Sequence, residues 1–488
     1  MTEFELKLQV PPERTKDVED ALRRGTVENT RLRARYYDTA DEALARKGLV
    51  LRLRKEGDHW VQTAKGPGRR GFERLEHNVP VPSGETEPEI ARHNDHPVGK
   101  RLRNALAASH EPLRLRFETD VTRMTRTIET AGNTVELAFD RGEVRADERH
   151  QPVLELELER KEGSAAAAIE LAQRWAEDHG LWLDPLPKAG VGRRLANGQE
   201  QAPPVHALPV TQHPEAAAGL VADALGSALQ QALGNARELA TGHGGDEHIH
   251  QLRVGLRRVR TTLRELHVIE GLPPVPDGIE QALAEIFQLL GQHRDRSTLL
   301  PTLHQQLRDV GAPAIHLEPP LPDVAAALRE PRLQAALLQL IGYIQQLHEL
   351  PAASDPGLKS LRKQVTRLLR KLHRQVRRDG AIFVALPEPE RHRVRKRLKR
   401  LRYLAEGMRP LFRGGGVDRF VKGLKELQDA LGEYQDAAAG RALFAHHAAE
   451  EPAAWFAVGW LTAQEREIAG VCEQACRKLP GFSRHFTH

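Results

Sequence analysis

The chain is poor in cysteine. Its 488 residues include two, Cys472 and Cys476. They lie four apart in a helix-like segment, so no disulfide framework is expected and a reducing, cytoplasmic setting is. There is no run of about 18 apolar residues, which leaves no expected membrane-spanning helix. Mean hydropathy is −0.52. The N-terminus lacks a basic segment followed by an apolar one, so no secretory signal is expected. HExxH and CxxC spacings are absent, which removes the common zinc arrangements. Acids are scarce between Leu358 and Pro410, where 18 Lys/Arg face four Asp/Glu. That segment carries a net +14, so the remainder of a chain with net charge +5 sums to −9. A local excess of this size calls for a polyanionic partner or a large solvated face. The segment has Tyr403 near its core and no interleaved stacking residues. A single-strand nucleic-acid platform is therefore not expected.

What is present falls into two halves. Residues 1 to about 200 alternate polar and apolar positions. Glu3, Glu5 and Lys7 alternate with Phe4, Leu6 and Leu8, and the pattern recurs at 49–54, 60–65, 113–118, 135–140 and 153–159. Period 2 places these sets on opposite faces of strands. Turn signals are read at Lys65–Gly68, Ala131–Asn133 and Asp140–Gly142, and helices at Glu13–Arg24 and Ser164–His179. A Pro-containing linker is expected over 201–214. From Glu215 to the end the period is helical. The fold class expected is multidomain: an N-terminal α+β unit built on an antiparallel barrel or strongly curved sheet, then an all-α unit.

Whole strands carry one theme. Glu155, Glu157 and Glu159 share one face, Arg52 and Arg54 another, Arg114 and Arg116 a third. Like charges two apart repel unless opposite charge or a charged ligand faces them. Carboxylates at these positions suit Mg²⁺ or Mn²⁺, and Lys7, Lys65 and the arginines suit phosphate oxygens. The spacing alone fits a metal-bound oligophosphate site and a solvated sheet with cross-strand ion pairs equally well.

The ordered series Glu3-x-Glu5-x-Lys7, Tyr37-Asp38-Thr39, Leu51-Arg52-Leu53-Arg54, Thr63-Ala64-Lys65-Gly66, Arg74 and Glu76, Arg114-Leu115-Arg116, Asp140-Arg141-Gly142 and Glu155 to Glu159 resembles the CYTH domain, the triphosphate tunnel metalloenzymes. The resemblance covers most of residues 1–200. It implies an eight-stranded antiparallel β-tunnel and hydrolysis or cyclisation of a triphosphate with Mg²⁺ or Mn²⁺. Glu3, Glu5 and Lys7 would be catalytic. Glu3, Glu5, Asp140, Glu157 and Glu159 would hold metal. Lys7, Arg52, Arg54, Lys65, Arg114 and Arg116 would grip phosphate. The family's closing Ser-Lys-x-x-Arg-Gly segment reads Pro187-Lys188-Ala189-Gly190-Val191-Gly192-Arg193 here. Lys188 aligns. Either Arg193 substitutes for the family arginine or that contact is missing.

The helical half repeats itself. His250, Arg253, Arg257, Arg260 and Arg264 recur as His392, Arg395, Lys399, Arg402 and Glu406, and Leu290-Gly291, Arg294-Asp295 recur as Leu431-Gly432, Gln435-Asp436. Each first set lies on one helical stripe. Two elements with nearly the same offset indicate duplication of a helical unit. The His-x-x-Arg stripe with its downstream Leu-Gly-x-x-Arg-Asp element resembles the CHAD domain, a duplicated helical bundle that binds inorganic polyphosphate. The implied polyphosphate ligands are His250, Arg253, Arg257, Arg260, Arg264, Arg294, His392, Arg395, Lys399 and Arg402. Together the two resemblances imply an inorganic triphosphatase with a polyphosphate-binding helical domain over 215–488, cytoplasmic and associated with polyphosphate granules. Thiamine triphosphate and ATP are alternative substrates, and a non-catalytic polyphosphate-binding protein is the alternative class.

Overall fold

The computed structural model describes residues 2–68, 73–82, 85, 87–210, 214–267, 269–412, 415–482 and 486, the side chains of Thr2, Glu3, Glu73 and Arg74 excepted. They form two compact units. The first comprises 1–205, 233–244 and 325–342, the second 206–232, 245–324 and 343–488.

Nine strands make one antiparallel sheet: β1 (Thr2–Gln9), β2 (Glu28–Asp38), β3 (Val50–Glu56), β4 (His59–Pro67), β5 (Glu73–Val81), β6 (Arg114–Thr130), β7 (Asn133–Ala146), β8 (Arg149–Glu162) and β9 (Trp182–Leu183). Their order is β5-β4-β3-β2-β6-β7-β8-β1-β9, and β1 also pairs β5 through Thr2↔Leu75 and Phe4↔Glu73. That pairing returns the order to its start, so the eight longer strands complete a circuit. The expectation of eight strands is corrected by β9, a two-residue addition on the flank of β1.

Four helices accompany these strands: α1 (Thr15–Leu22), α2 (Pro97–Ala107), α3 (Ala165–His179) and α4 (Lys188–Ala196). Helix α3 begins where expected because the Ser164 side chain accepts a hydrogen bond from the Ala166 N–H. The apolar residues of β3 and β4 face outward, where Leu51, Leu53 and Ala64 pack with Val98, Leu102 and Ala105 of α2. Helix α3 covers β1 and β8. The charged faces of these strands are therefore turned inward.

At β2 and β6 the arrangement reverses. Leu32, Ala34, Tyr36, Phe117, Val121, Val144 and Val153 cluster with Val191 of α4. Helix α4 fills this end of the circuit, and a Cβ at Gly192 would overlap the Phe117 ring. The arginines of β2 sit on the other face, where Arg31 forms two hydrogen bonds to Asp120, at 2.9 and 2.8 Å, and Arg35 one to Glu118, at 3.0 Å.

Two turn expectations are corrected. Asp140–Gly142 lies within β7, which continues to Ala146 before turning at Asp147. Gly142 is there because β6 passes so close that a Cβ would collide with the Asp120 carbonyl. Lys65–Pro67 belongs to β4, and residues 69–72 lie outside the described residues. The Ala131–Gly132 turn stands as expected, with both residues at positive φ, +46° and +77°.

The remaining helices are α5 (Ala217–Ala240), α6 (Asp246–Leu266), α7 (Ile279–Arg294), α8 (Leu300–Asp309), α9 (Val324–Arg329), α10 (Pro331–His348), α11 (Leu358–Gly380), α12 (Glu388–Gly407), α13 (Gly416–Gly423), α14 (Lys425–His447) and α15 (Ala454–Arg477). The two basic stripes fall on α6 and α12, which pack on each other. Among the described residues no helix is long and apolar enough to cross a membrane.

Candidate functional site

Register fixes which inward side chains meet. Glu5 pairs with Glu159 and Lys7 with Glu157 across β1–β8. Across β7–β8, Glu136 pairs with Glu159 and Asp140 with Glu155. Asp140 in turn faces Arg123 of β6. The acidic groups thus fall into successive rows.

One row is a convergent triad. Asp140, Glu155 and Glu157 each offer an oxygen, all within 4.8 Å of one another. Asp140 is 0% exposed. The Lys188 ammonium sits among them, 2.6 Å from Asp140 and 2.7 Å from Glu157, and also bonds Glu155. Arg123 grips Asp140 through two hydrogen bonds, at 2.8 and 2.7 Å, and reaches Glu157 at 2.5 Å. Lys7 lies 2.9 Å from Glu155 and 3.7 Å from Asp184.

The charges hold one another ionised. Burial opposes the Glu157 carboxylate, yet Lys188 and Arg123 hold it well below its usual range. Burial likewise opposes the Lys188 ammonium, and Asp140, Glu155 and Glu157 hold it well above. Arg123 is raised in the same way against burial, by Glu157, Asp140 and, less strongly, Glu5. A buried ensemble of this kind contributes little net stability, because desolvation offsets attraction. Its cost suggests use.

The neighbouring wall is cationic. Arg52 and Arg54 project inward from β3, and Lys65 from β4, where it pairs with Glu76. Burial and the adjacent Arg52 lower Arg54, with Glu56 opposing. Burial raises the Tyr36 phenol, but the hydrogen-bonded Arg52 guanidinium outweighs it and the net shift is downward. Arg52 Nε is buried with no acceptor. An unused guanidinium donor aimed into a charged interior is a vacancy for an anion's oxygen.

Sequence reasoning located many of these residues and misplaced others. Glu5, Lys7, Arg52, Arg54, Lys65, Asp140, Glu157 and Lys188 share the interior. The Glu3 side chain lies outside the described residues. Glu159 is one row beyond the triad, bonded to Lys161 at 2.7 Å, and Glu155 takes the third place. Arg114 and Arg116 lie at a register shift in the β2–β6 pairing, where Tyr36 pairs with Phe117 but Tyr37 with Leu115. Arg114 is exposed, and Arg116 bonds Asn197 at 2.9 Å. Arg193 is exposed as well. The inward arginine of α4 is Arg194, which meets Glu238 at 3.3 Å and Gln151 at 2.8 Å. Arg123 was missed. Its signal was parity, since it lies an even number of residues from Phe117 on one long strand.

The second unit holds a cavity of about 850 Å³ between the repeated elements. Arg253, Arg257, Arg260, Arg264, Arg294, Arg395 and Lys399 line it together with Asp295 and Asp436. The guanidiniums of Arg253, Arg257 and Arg260 stand over the Phe287 ring at 4.6, 5.0 and 5.6 Å. Arg294 of the first repeat makes two 3.1 Å bonds to Asp436 of the second. Burial and then Arg257 push Arg253 and Arg395 each down to about 10. His392 also lines the cavity and bonds Gln435 at 2.7 Å. Two expected ligands do not line it. His250 is exposed, and Arg402 is turned to Glu406 at 2.7 Å and to Gln428.

Comparison with known proteins follows the same division. Residues 1–187 match the CYTH domain and residues 223–445 match the CHAD domain. The chain therefore joins a CYTH domain to a CHAD domain. It is 28% identical over 208 residues to an inorganic triphosphatase of Haemophilus influenzae, covering 41% of this chain and 56% of that protein. It is 27% identical over 256 residues to an uncharacterized protein of Mycobacterium tuberculosis, covering 47% and 48%. The chain thus spans about half the length of the curated relatives it matches. The crystal structure of the CHAD domain from the plant Ricinus communis is 23% identical with a TM-score of 0.46, covering 57% of this chain and 98% of that one.

Proposed function

We propose that the strand unit hydrolyses inorganic triphosphate to diphosphate and phosphate with Mg²⁺ or Mn²⁺, and that the helical unit binds long polyphosphate. The functional division proposed is 1–200 for the tunnel domain, 201–214 for the linker and 215–488 for the helical domain. The observation that carries the reading is the convergence of Asp140, Glu155 and Glu157 beside the unpaired Arg52 Nε. The likeness to the Haemophilus influenzae triphosphatase supports it.

The residues fit a hard divalent cation. Three oxygens within 4.8 Å form a hard donor set, and the spot they surround already stabilises an ammonium. Asp140, Glu155 and Glu157 would hold the ion, with Glu5, Glu159 and Glu3 in the proposed wider set. When bound, the metal supplies charge neutralisation on phosphate oxygens. Arg52 and Arg54 bind and orient the chain of phosphates. Lys65 and Lys188 add point charges that favour the charge developing on the departing diphosphate. Helix α4 and its apolar cluster exclude bulk water from one end. Water attacks a terminal phosphorus, its P–O bond forms, the anhydride P–O bond breaks, and the water proton passes to solvent. Most of the acceleration assigned to the protein is placement and electrostatics.

The proposed setting is the cytoplasm, at polyphosphate granules. The test is phosphate release by the purified chain across tripolyphosphate, long polyphosphate, thiamine triphosphate and ATP. Release from tripolyphosphate that needs Mg²⁺ or Mn²⁺ and is lost in Glu157→Gln is expected. No release under any metal or pH, with Glu157→Gln indistinguishable, would leave a polyphosphate-binding protein without hydrolysis. Preference for thiamine triphosphate or ATP would reassign the substrate.

A further inference from the structure

Helix α11 carries a feature that neither repeat stripe accounts for. It holds nine Lys/Arg and one acid, Asp379. Its repeat counterpart α5 has Arg237 as its sole Lys/Arg. Both begin their half of the duplicated unit, at Ala217 and Leu358, an offset of 141 that matches that of the Leu290-Gly291 element and lies one short of that of the stripes. Duplication alone would make the two helices alike. The second has become basic.

The basic residues are sorted by face. Leu361, Val365, Leu369, Leu372 and Val376 are buried. Lys359, Lys363, Arg367, Arg370 and Arg374 are exposed on the other side and surround a cavity of about 500 Å³ together with Arg362. Like charges three and four apart on a helix are destabilising unless something offsets them. On the neighbouring helix the offset is in several places a carboxylate. On α12, Arg393 pairs with Glu390, Arg397 with Asp379, Arg400 with Glu265 and Arg402 with Glu406. Among the described residues, none of the six cations around the α11 cavity has a carboxylate within ion-pair distance. An evenly solvated face would carry mixed signs, as α12 does.

The stripe is continuous with the central cavity. Arg397 and Arg400 line that cavity and also line a smaller one of about 180 Å³ shared with Lys371 and Gln375 of α11 and with Glu265, the carboxylate partner of Arg400. Lys371 is the i+4 neighbour of Arg367 and the i−3 neighbour of Arg374. Basic side chains therefore lead from the repeat stripes to α11, and from Lys359 to Arg374 along about 22 Å at 1.5 Å per residue.

We propose that the outer face of α11 is a second anion-binding track, which takes a polyphosphate chain emerging from the central cavity. The inference rests on the polyphosphate reading of this unit. A linear polyanion with one charge per phosphate matches a linear row of cations without carboxylate partners, one of which, Arg370, stands over the Phe482 ring at 5.6 Å. The row lacks interleaved aromatic residues, so nothing in it stacks bases. The track makes affinity depend on chain length. An oligophosphate fills the central cavity, and a long chain engages both.

The experiment uses the full chain and three variants. Arg367→Glu/Arg370→Glu/Arg374→Glu reverses the track. Arg367→Gln/Arg370→Gln/Arg374→Gln only neutralises it, and decides the matter should the reversal fail to fold. Arg253→Glu/Arg395→Glu removes the central cavity's charge. Binding of long-chain polyphosphate, of a short oligophosphate and of duplex DNA is measured against salt. The track variants are expected to lose about tenfold for the long chain, with a shallower salt slope, and to keep wild-type affinity for the oligophosphate. The central variant is expected to lose both. A track variant that binds the long chain like wild type, while the central variant loses it, overturns the track alone. A central variant that keeps both ligands overturns the polyphosphate reading itself. Track variants that lose DNA and keep polyphosphate overturn the inference in favour of nucleic acid.

Discussion

The Lys188 ammonium lies 2.6 Å from the Asp140 carboxylate. It thereby stands at the centre of the three carboxylates that fit a divalent cation. A metal held by these carboxylates would compete with Lys188 for one position. A triphosphate bound at the Arg52 wall would give Lys188 another partner, so metal and substrate are expected to bind cooperatively.

Lys188→Met therefore separates binding from turnover. Without substrate, Mn²⁺ affinity is expected to rise roughly tenfold, about 1.4 kcal/mol. Phosphate release is expected to fall. The metal-free variant should melt lower than wild type, because three close carboxylates lose their cation, and Mn²⁺ should restore the melting temperature. Manganese titration by electron paramagnetic resonance and thermal melts check both halves. Unchanged Mn²⁺ affinity would remove Lys188 from the metal's position.

Arg123 is held by two inward carboxylates while Arg114 is exposed at the start of the same strand, and their substitutions should differ sharply. Arg123→Met leaves the buried Asp140 and Glu157 without their guanidinium, an expected loss of about 3 kcal/mol. Arg114→Gln, at an exposed site, should cost less than about 0.5 kcal/mol. Urea denaturation of the two variants measures this. Equal effects would contradict the placement.

Lys399 is expected to make the proposed polyphosphate binding pH-dependent. Burial first, then Arg257, Arg395, Arg253 and Arg294, push its amine down to about 5. The folded chain therefore lacks a proton that the unfolded chain holds, so this lysine's contribution makes stability rise with pH between about 5 and 10.5. A polyanion in the cavity opposes the surrounding guanidiniums and favours the ammonium. Binding is expected to take up a proton and to strengthen as pH falls from about 8 to about 6. His392 titrates in the same cavity, so Lys399→Met serves as the control and should flatten most of the dependence. Calorimetry in buffers of different ionisation enthalpy counts the protons.

The two units should separate by function. Arg253→Glu/Arg395→Glu is expected to weaken polyphosphate binding by at least tenfold, about 1.4 kcal/mol, with tripolyphosphate turnover kept. Parallel loss of turnover in a well-folded variant would show that the cavity serves the reaction.

Alternation made β1, β3, β4, β7 and β8 legible, and the offset near 141 made the helical duplication legible. Alternation separates two faces without saying which one is inside. On β3 the apolar residues Leu51 and Leu53 face outward against α2, so Arg52 and Arg54 line the interior. On β6 the apolar Phe117 and Val121 face inward against α4, and a register shift beside Phe117 interrupts the alternation before Arg116 and Arg114 are reached. The same rule applied to both strands puts Arg52 and Arg54 inside but leaves Arg114 and Arg116 unassigned, because the shift breaks the period. Arg123 is the consequence. It shares the inward parity of Phe117, but lies further along β6, where the interior has changed from apolar to charged.

The sequence by itself determined the strand and helix periods, the charged themes of individual strands and the repeat. These are local properties, set by backbone geometry and by spacing along the chain. The tertiary structure decided which carboxylate completes the triad, that Lys188 occupies it, and that Arg194 rather than Arg193 turns inward. It also decided that the cations around the α11 cavity have no carboxylate partner among the described residues, while Arg393, Arg397, Arg400 and Arg402 of α12 do. Each of these depends on register and on what packs against a given face, and so on residues outside the local stretch that sets the period.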